Sequence, residues 1–425
     1  MSADSSREKT IRFMKKTALP IVTAAFLIGG FLYSRTYTPE WPGDFAAYLG
    51  AGYAIAEGSN PYDEASATRC LSENGIVDVE NLPFLYSPVF AMFFSAAKYT
   101  GAVWMRRIWF AGLHISFWYG LYLLVKREEQ QGKSIALMII LGTILLFTGP
   151  YRAAAIWGQV TALLFFSVSL AICKKRNSAI SGISLSLIPL IKPALFAPIL
   201  SLRGRAQLFL VAATLFLITV SVAVTGFEPW RQYLTALHKV SSEWELSIPG
   251  NRSLAGNVHR IVGTFSESYI REFANNHQER IERAGKVRAL SSIISVALIL
   301  ITIAGILIAI RRTAWKRYYL SEHFTPLLCW ISLLITPLAY DHYGLFLLPM
   351  LVHSVFTKKP ELYTPAAIAF AYWAFLPNGN SFISNSTLLL SVEATRPILL
   401  IFVAILYARV TSTSLPSSQQ SFNHR

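Results

Sequence analysis

The sequence predicts an all-α polytopic membrane protein, and three observations carry that prediction. Of 425 residues, 53% are hydrophobic and only 14% are charged; ordinary soluble domains carry about 25% charge. The apolar residues gather into runs that approach the roughly 20 residues needed to cross a bilayer. The polar residues gather into two long stretches, 34–83 and 227–288. This pattern excludes a soluble enzyme, a disordered chain and a fibrous one. The net charge is +15, from 38 Lys and Arg against 23 Asp and Glu. In a soluble protein that excess would point to nucleic acid. In a membrane protein it is expected, because Lys and Arg keep cytoplasmic loops against anionic lipid. No nucleic-acid partner is therefore expected. Cys70, Cys173 and Cys329 have neither metal-site nor disulfide-framework spacing.

The first apolar run, 17–33, follows Arg7, Lys9, Arg12, Lys15 and Lys16. With no small-residue cleavage site before Arg35, it reads as an anchor with a cytoplasmic N-terminus. Further runs cover 84–99, 108–125, 134–149, 160–173, 179–200, 206–226, 289–310, 323–340, 343–356, 363–376 and 397–410. They predict a bundle of about 12 transmembrane helices in one membrane domain, 1–410, followed by a disordered Ser- and Gln-rich tail, 411–425. Alternation puts both long polar stretches outside and both termini inside. The basic loops 203–205, 311–317 and 358–359 then fall inside, as they should. Two others, 126–133 and 174–176, fall outside. Either some helices between 84 and 200 are broken or re-entrant, or the charge rule fails locally. The stretch 267–288 mixes both charge signs and reads as a solvated or interfacial helix.

The first polar stretch carries the first chemical candidate. Pro42-Gly43 marks a turn, and 45–56 reads as an apolar helix lying along the interface. Asp44 is then its N-cap, or a carboxylate at the water–lipid boundary that accepts a proton. The two roles are compatible. Asn60-Pro61-Tyr62-Asp63 reads as a turn after a C-capping Gly58. Tyr86 fits an interfacial aromatic, and Pro88 fits the first turn of a helix.

Lys192 lies inside an apolar run, where a charge costs about 2.5–3.5 kcal/mol on insertion scales. It either snorkels to an interface, with Pro193 breaking the helix, or it serves a ligand or stabilises a cavity. Gln159 either binds a ligand or caps a helix. Asp341-His342 is either a polar hairpin tip or a pair in which His342 faces a cavity and Asp341 orients it. His114 and His353 read as core or interface histidines, and Arg152 as an interface anchor. No His, Cys, Asp and Glu cluster has metal-site spacing. No metal or cofactor is expected; a divalent cation between Asp44 and Asp63 is the weaker alternative.

These segments, taken in order, resemble glycosyltransferase family 87, a group of polytopic GT-C-type enzymes. The resemblance rests on Asp44-Phe45…Tyr48…Gly58-Ser59-Asn60-Pro61-Tyr62-Asp63, then Tyr86-Ser87-Pro88 and Trp157-Gly158-Gln159. It continues through Ile191-Lys192-Pro193, Asn251-Arg252-Ser253-Leu254 with Arg260, and Tyr340-Asp341-His342-Tyr343 with Leu347-Leu348-Pro349. The resemblance implies a GT-C-type bundle and a polyprenyl-phosphate sugar as donor. The transferred sugar is then a hexose, with mannose favoured. It also implies transfer on the periplasmic face of the plasma membrane, with an acidic residue of the first loop as base; by position that residue is Asp44.

Physical chemistry agrees with that implication. A lipid phosphate leaves as a stable anion and needs no general acid, whereas an acceptor hydroxyl does need a base. Direct attack opposite the phosphate inverts the anomeric carbon. The phosphate needs cations or hydrogen-bond donors, for which Lys192, Arg252, Arg260 and His342 are candidates. Tyr48, Asn60, Tyr62, Tyr86, Gln159, Asn251 and Asp341 are candidates for holding the sugar or the acceptor, a glycolipid or glycan. The rival reading is a secondary transporter, which the span count and buried charges also suit. Against it, the two halves show no similarity and the polar mass sits in two unequal loops. A non-catalytic scaffold has no use for Lys192.

Overall fold

The computed structural model describes residues 3–77, 79, 83–127, 131–243, 251–264, 277–310, 318–319, 321, 323–336, 339–356, 360–375 and 386–413. Helices are the regular structure among the described residues. Five are long and apolar enough to cross a membrane: Thr17–Tyr37, Ala102–Arg127, Arg205–Thr225, Ala289–Ile310 and Thr395–Thr413. A sixth crossing is available if Ser134–Phe147 and Gly149–Trp157, bent by 56°, act together. The chain is a multi-pass membrane protein. Leu208, Leu215, Phe216 and Val224 on the Arg205–Thr225 helix are exposed, an apolar surface suited to lipid.

Among the described residues, twelve continuous spans are not seen. The run at 84–99 yields only Pro88–Ser95 and Ala97–Thr100. At 1.5 Å per residue these fall well short of a hydrocarbon core of about 30 Å. The run at 179–200 splits into Ser178–Leu185, Leu187–Ile191 and two 3-10 turns. Pro189, Pro193 and Pro198 lie in this stretch, and each removes a helix hydrogen-bond donor. Thr161–Cys173, Phe324–Ile335 and Leu348–Phe356 are also short. Apolar composition alone does not separate these pieces from full spans; prolines and packing do.

The path of the chain removes the charge conflict between 84 and 200. Arg106 donates to the Pro39 carbonyl at 3.2 Å, Ser34 meets His114 at 2.8 Å and Phe26 stacks on Trp118 at 5.3 Å. The helices ending at Tyr37 and starting at Ala102 are therefore antiparallel neighbours. The stretch between them therefore leaves and returns at one end of the bundle. Trp109 Nε1 donates to the Gly158 carbonyl at 2.8 Å, so Gly158 lies at that end too. At the opposite end, Ser134 donates to the Val125 carbonyl at 3.3 Å. Lys175 there donates to the Ser321 carbonyl at 2.7 Å, and Arg203 stacks on Tyr319 at 3.8 Å. The basic groups at 126–127, 174–176 and 203–205 thus share one end.

The Gly43–Ala56 helix differs from its expected form in two ways. Its N-cap is Pro42, not Asp44, which lies in the first turn. It is also covered by protein: Phe45 through Ala54 are all buried, and it packs against Pro88–Ser95 and Glu64–Glu73. An apolar helix with no polar stripe is buried all round. Gly52 permits the approach. A Cβ there would sit 2.5 Å from the carbonyl carbon of Phe94, and backbone cannot yield as a side-chain tip can. Gly52→Ala should lower stability by about 1–3 kcal/mol, read as a lower thermal midpoint in nanodiscs. An unchanged midpoint would contradict this contact.

Other expectations meet the structure locally. His114 is buried between Ser34 and Tyr151, 2.7 Å from the latter's hydroxyl. His353 is buried and meets His323 at 2.6 Å. Thr411–Thr413 end the last helix and are not part of a tail; 414–425 lie outside the described residues, as do the basic stretches 311–317 and 357–359. Of the mixed-charge stretch 267–288, the part up to 276 is outside them, and the remainder begins the His277–Ile310 helix.

Candidate functional site

Four breaks in regular structure bring one polar cluster together. The first is the start of the Gly43–Ala56 helix. Proline followed by glycine begins it, and Asp44 falls in its first turn, where the helix dipole favours a carboxylate. Tyr48 is one turn further on, on the same face. The second break precedes Pro88, which takes the first helical position because its missing N–H is not needed there. Tyr86 lies just ahead of it.

The third break is Gly158. It ends the Gly149–Trp157 helix in the left-handed region at φ +71°, where a Cβ is penalised. The turn brings in Gln159, which is 5% exposed. The fourth is Lys192-Pro193. Proline disfavours helical geometry in the residue before it, and Lys192 is extended at φ −135°, ψ 77°. The helix stops and the lysine side chain turns inward. The cluster is completed by the 3-10 segment Asp341–Leu347.

Lys192 is the centre of the cluster and is 8% exposed. Its Nζ donates to Gln159 Oε1 at 3.2 Å and to the Tyr343 hydroxyl at 3.1 Å. It lies 3.4 Å from His342 Nε2 and 4.2 Å over the ring of Tyr343. A snorkelling side chain would leave its head in water; this one is held by protein groups. The Tyr86 hydroxyl donates to Gln159 Oε1 at 3.3 Å, and the Tyr48 hydroxyl donates to that of Tyr86 at 3.1 Å. Asp44, half-buried, is close enough to Lys192, Tyr86 and Tyr48 to interact electrostatically with each. The structure thus joins Asp44, Tyr48, Tyr86, Gln159, Lys192 and His342, drawn from five separate stretches of sequence.

The other expected residues sit around this centre. Tyr62 donates its hydroxyl to the Tyr86 carbonyl at 2.8 Å. Asn60 Oδ1 accepts the Tyr62 N–H at 2.9 Å, the turn expected of this residue type. Asp63 caps the Glu64–Glu73 helix, accepting from the Ser66 N–H at 3.0 Å and the Ser66 hydroxyl at 2.7 Å. Those two bonds hold its carboxyl below the usual range. Asp63→Ala should therefore cost about 1 kcal/mol in thermal stability and leave activity in place. A loss of activity without a loss of stability would move chemistry onto Asp63.

Arg252, Asn251, Arg260 and Asp341 form a second, adjoining cluster. Arg252 is 2% exposed and pairs with Asp341 at 2.5 Å; its guanidinium also donates to the Trp373 carbonyl. Arg260 Nη2 donates to the Asn251 carbonyl at 2.7 Å. Two participants were not expected. Tyr343 was visible only as one aromatic in a motif, and no local pattern marks Trp373, which joins through its indole N–H and its carbonyl. Among the described residues, no group of three or more His, Cys, Asp and Glu side chains is placed to hold a metal ion.

A buried ammonium beside a carboxylate, hydroxyls and an amide is able to meet an anion and a polyol together. No curated protein matches the chain. The sequence profile described as glycosyltransferase family 87 matches residues 84–337, more than half of the chain. That stretch contains Tyr86, Gln159, Lys192, Asn251, Arg252 and Arg260; Asp44 precedes it and His342 follows it closely. A polytopic membrane chain with this match over most of its polar cluster belongs to glycosyltransferase family 87.

Proposed function

We propose that this membrane glycosyltransferase moves a hexose, with mannose favoured, from a polyprenyl-phosphate sugar to a hydroxyl of a glycolipid or glycan. The observation that carries the reading is the buried Lys192, held by Gln159, Tyr343 and His342, with Asp44 within electrostatic reach. The reaction needs one base and one anion partner. Asp44 takes the proton of the attacking hydroxyl. Lys192, with His342 beside it, meets the phosphate that accumulates charge as the glycosidic bond breaks. The hydroxyl oxygen bonds to the anomeric carbon, the phosphate leaves with the bonding pair, and the configuration inverts. Gln159, Tyr86, Tyr48 and Tyr62 offer hydrogen bonds and ring faces to the sugar.

The arrangement of charges supports an external site. The basic groups at 126–127, 174–176 and 203–205 gather at the end of the bundle away from Asp44. Cytoplasmic loops are the ones enriched in Lys and Arg, so Asp44 faces the periplasm in this reading. The test uses purified protein in vesicles of known orientation, with radiolabelled polyprenyl-phosphate mannose and, separately, labelled nucleotide mannose. Transfer from the lipid-linked donor alone, on the face bearing Asp44, is the expected result. Transfer from the nucleotide sugar alone would overturn the donor assignment.

A further inference from the structure

We infer that Asn251 and Arg252 are positioning residues: they clamp the backbone of 339–341 so that His342 and Tyr343 stay against Lys192. The clamp grips both sides of Ala339. Arg252 N–H donates to the Ala339 carbonyl at 2.5 Å, and Ala339 N–H donates to Asn251 Oδ1 at 3.0 Å. The same Asn251 oxygen accepts the Ser253 N–H at 3.1 Å, which fixes the amide. Two residues on, the Arg252 guanidinium pairs with Asp341. A third tie closes the ring. Arg252 donates to the Trp373 carbonyl, and Trp373 Nε1 donates to the Asp341 carbonyl at 3.1 Å.

The next two residues are His342 and Tyr343, whose side chains reach Lys192 at 3.4 and 3.1 Å. Gly344 then passes Trp373 so closely that a Cβ there would lie 2.5 Å from the indole Cδ1. The clamp is itself braced, because Asn257 Nδ2 donates to the Arg252 carbonyl at 3.0 Å and Arg260 to that of Asn251. Asn251, Arg252, Asn257 and Arg260 are buried. The start of the Leu254–Thr264 helix region therefore sets the geometry of a segment about 90 residues further along the chain. Small displacements of a reacting group are costly, so a clamp next to the site acts on turnover rather than on binding.

The inference rests on the proposed transfer reaction for its kinetic arm, and a second arm is independent of activity. In the transfer assay, Arg252→Ala should lower kcat by about 10²-fold with donor KM nearly unchanged. Arg252→Lys should not rescue it, because an ammonium cannot hold carboxylate and carbonyl in one planar fork. The double variant Arg252→Ala with Asp341→Asn should be no worse than Arg252→Ala alone, since both break one unit. A rise in donor KM with kcat intact, rescued by lysine, would make Arg252 a direct phosphate ligand and overturn the positioning role. In nanodiscs, Asn251→Ala and Arg252→Ala should raise amide hydrogen exchange across 339–345 and leave the Ala102–Arg127 helix unchanged. Unchanged exchange at 339–345 in the folded variants would overturn the clamp. If the wild type transfers no label, the proposed reaction fails, and the exchange result still decides the clamp.

Discussion

Asp44→Asn is expected to lower sugar transfer by about 10²–10⁴-fold, the usual contribution of a positioned general base. The replacement is nearly isosteric, so the Gly43–Ala56 helix keeps its buried face. It loses the favourable charge at the helix N-terminus, about 0.3–1 kcal/mol, and the attraction to Lys192. Thermal stability should thus fall modestly while turnover collapses. The measurement is label transfer from polyprenyl-phosphate mannose, with Asp63→Asn as the control carboxylate. Asp63 is engaged by Ser66 in capping its own helix, so its amide variant should retain transfer. The reverse outcome, with transfer lost in Asp63→Asn and kept in Asp44→Asn, would remove Asp44 from the mechanism.

Lys192→Met should abolish transfer at a smaller cost in stability. A preorganised donor aimed at developing charge is worth about 10²–10³-fold in turnover, and methionine supplies none. Replacing a whole buried ion pair by apolar groups is often neutral, but removing one partner costs stability, and Lys192 interacts with Asp44 and bonds Gln159 and Tyr343. Gln159 Oε1 keeps its bond from Tyr86 in the variant. The expected result is a lowered thermal midpoint in a protein that still folds, together with a loss of transfer far larger than the folded fraction lost. Lys192→Arg should not restore full activity, because the planar guanidinium does not fit the point contacts made to Gln159, His342 and Tyr343. A variant that unfolds while its surviving fraction transfers normally would show that Lys192 serves packing alone.

Much of the site was legible residue by residue. Gly158, Pro193 and Pro88 each end or begin a helix at the place their backbone chemistry dictates, and Gln159, Lys192 and Tyr86 lie directly beside them. An ionisable residue in an apolar run is conspicuous, and Asp44 stands out in a stretch otherwise apolar. The helix count was less legible. Composition marks 84–99 and 179–200 as apolar, but each is divided into short helices. Hydropathy does not record where a helix breaks. The capping position given to Asp44 went to Pro42, because the helix begins two residues earlier than the turn signal implied.

Sequence alone determined that the chain is helical and membrane-embedded and which polar residues stand in apolar surroundings. Those properties follow from local chemistry: transfer free energy and the backbone limits of glycine and proline. The structure was needed to bring the basic loops 126–127, 174–176 and 203–205 to one end. Only the tertiary structure decided that Asp44 comes within electrostatic reach of Lys192, that Tyr343 joins the lysine's partners, and that Arg252 turns to Asp341 and Trp373. These contacts join residues about 90 to 150 positions apart. Their partners are selected by which buried polar groups find one another when helices pack, and no spacing along one chain records that choice.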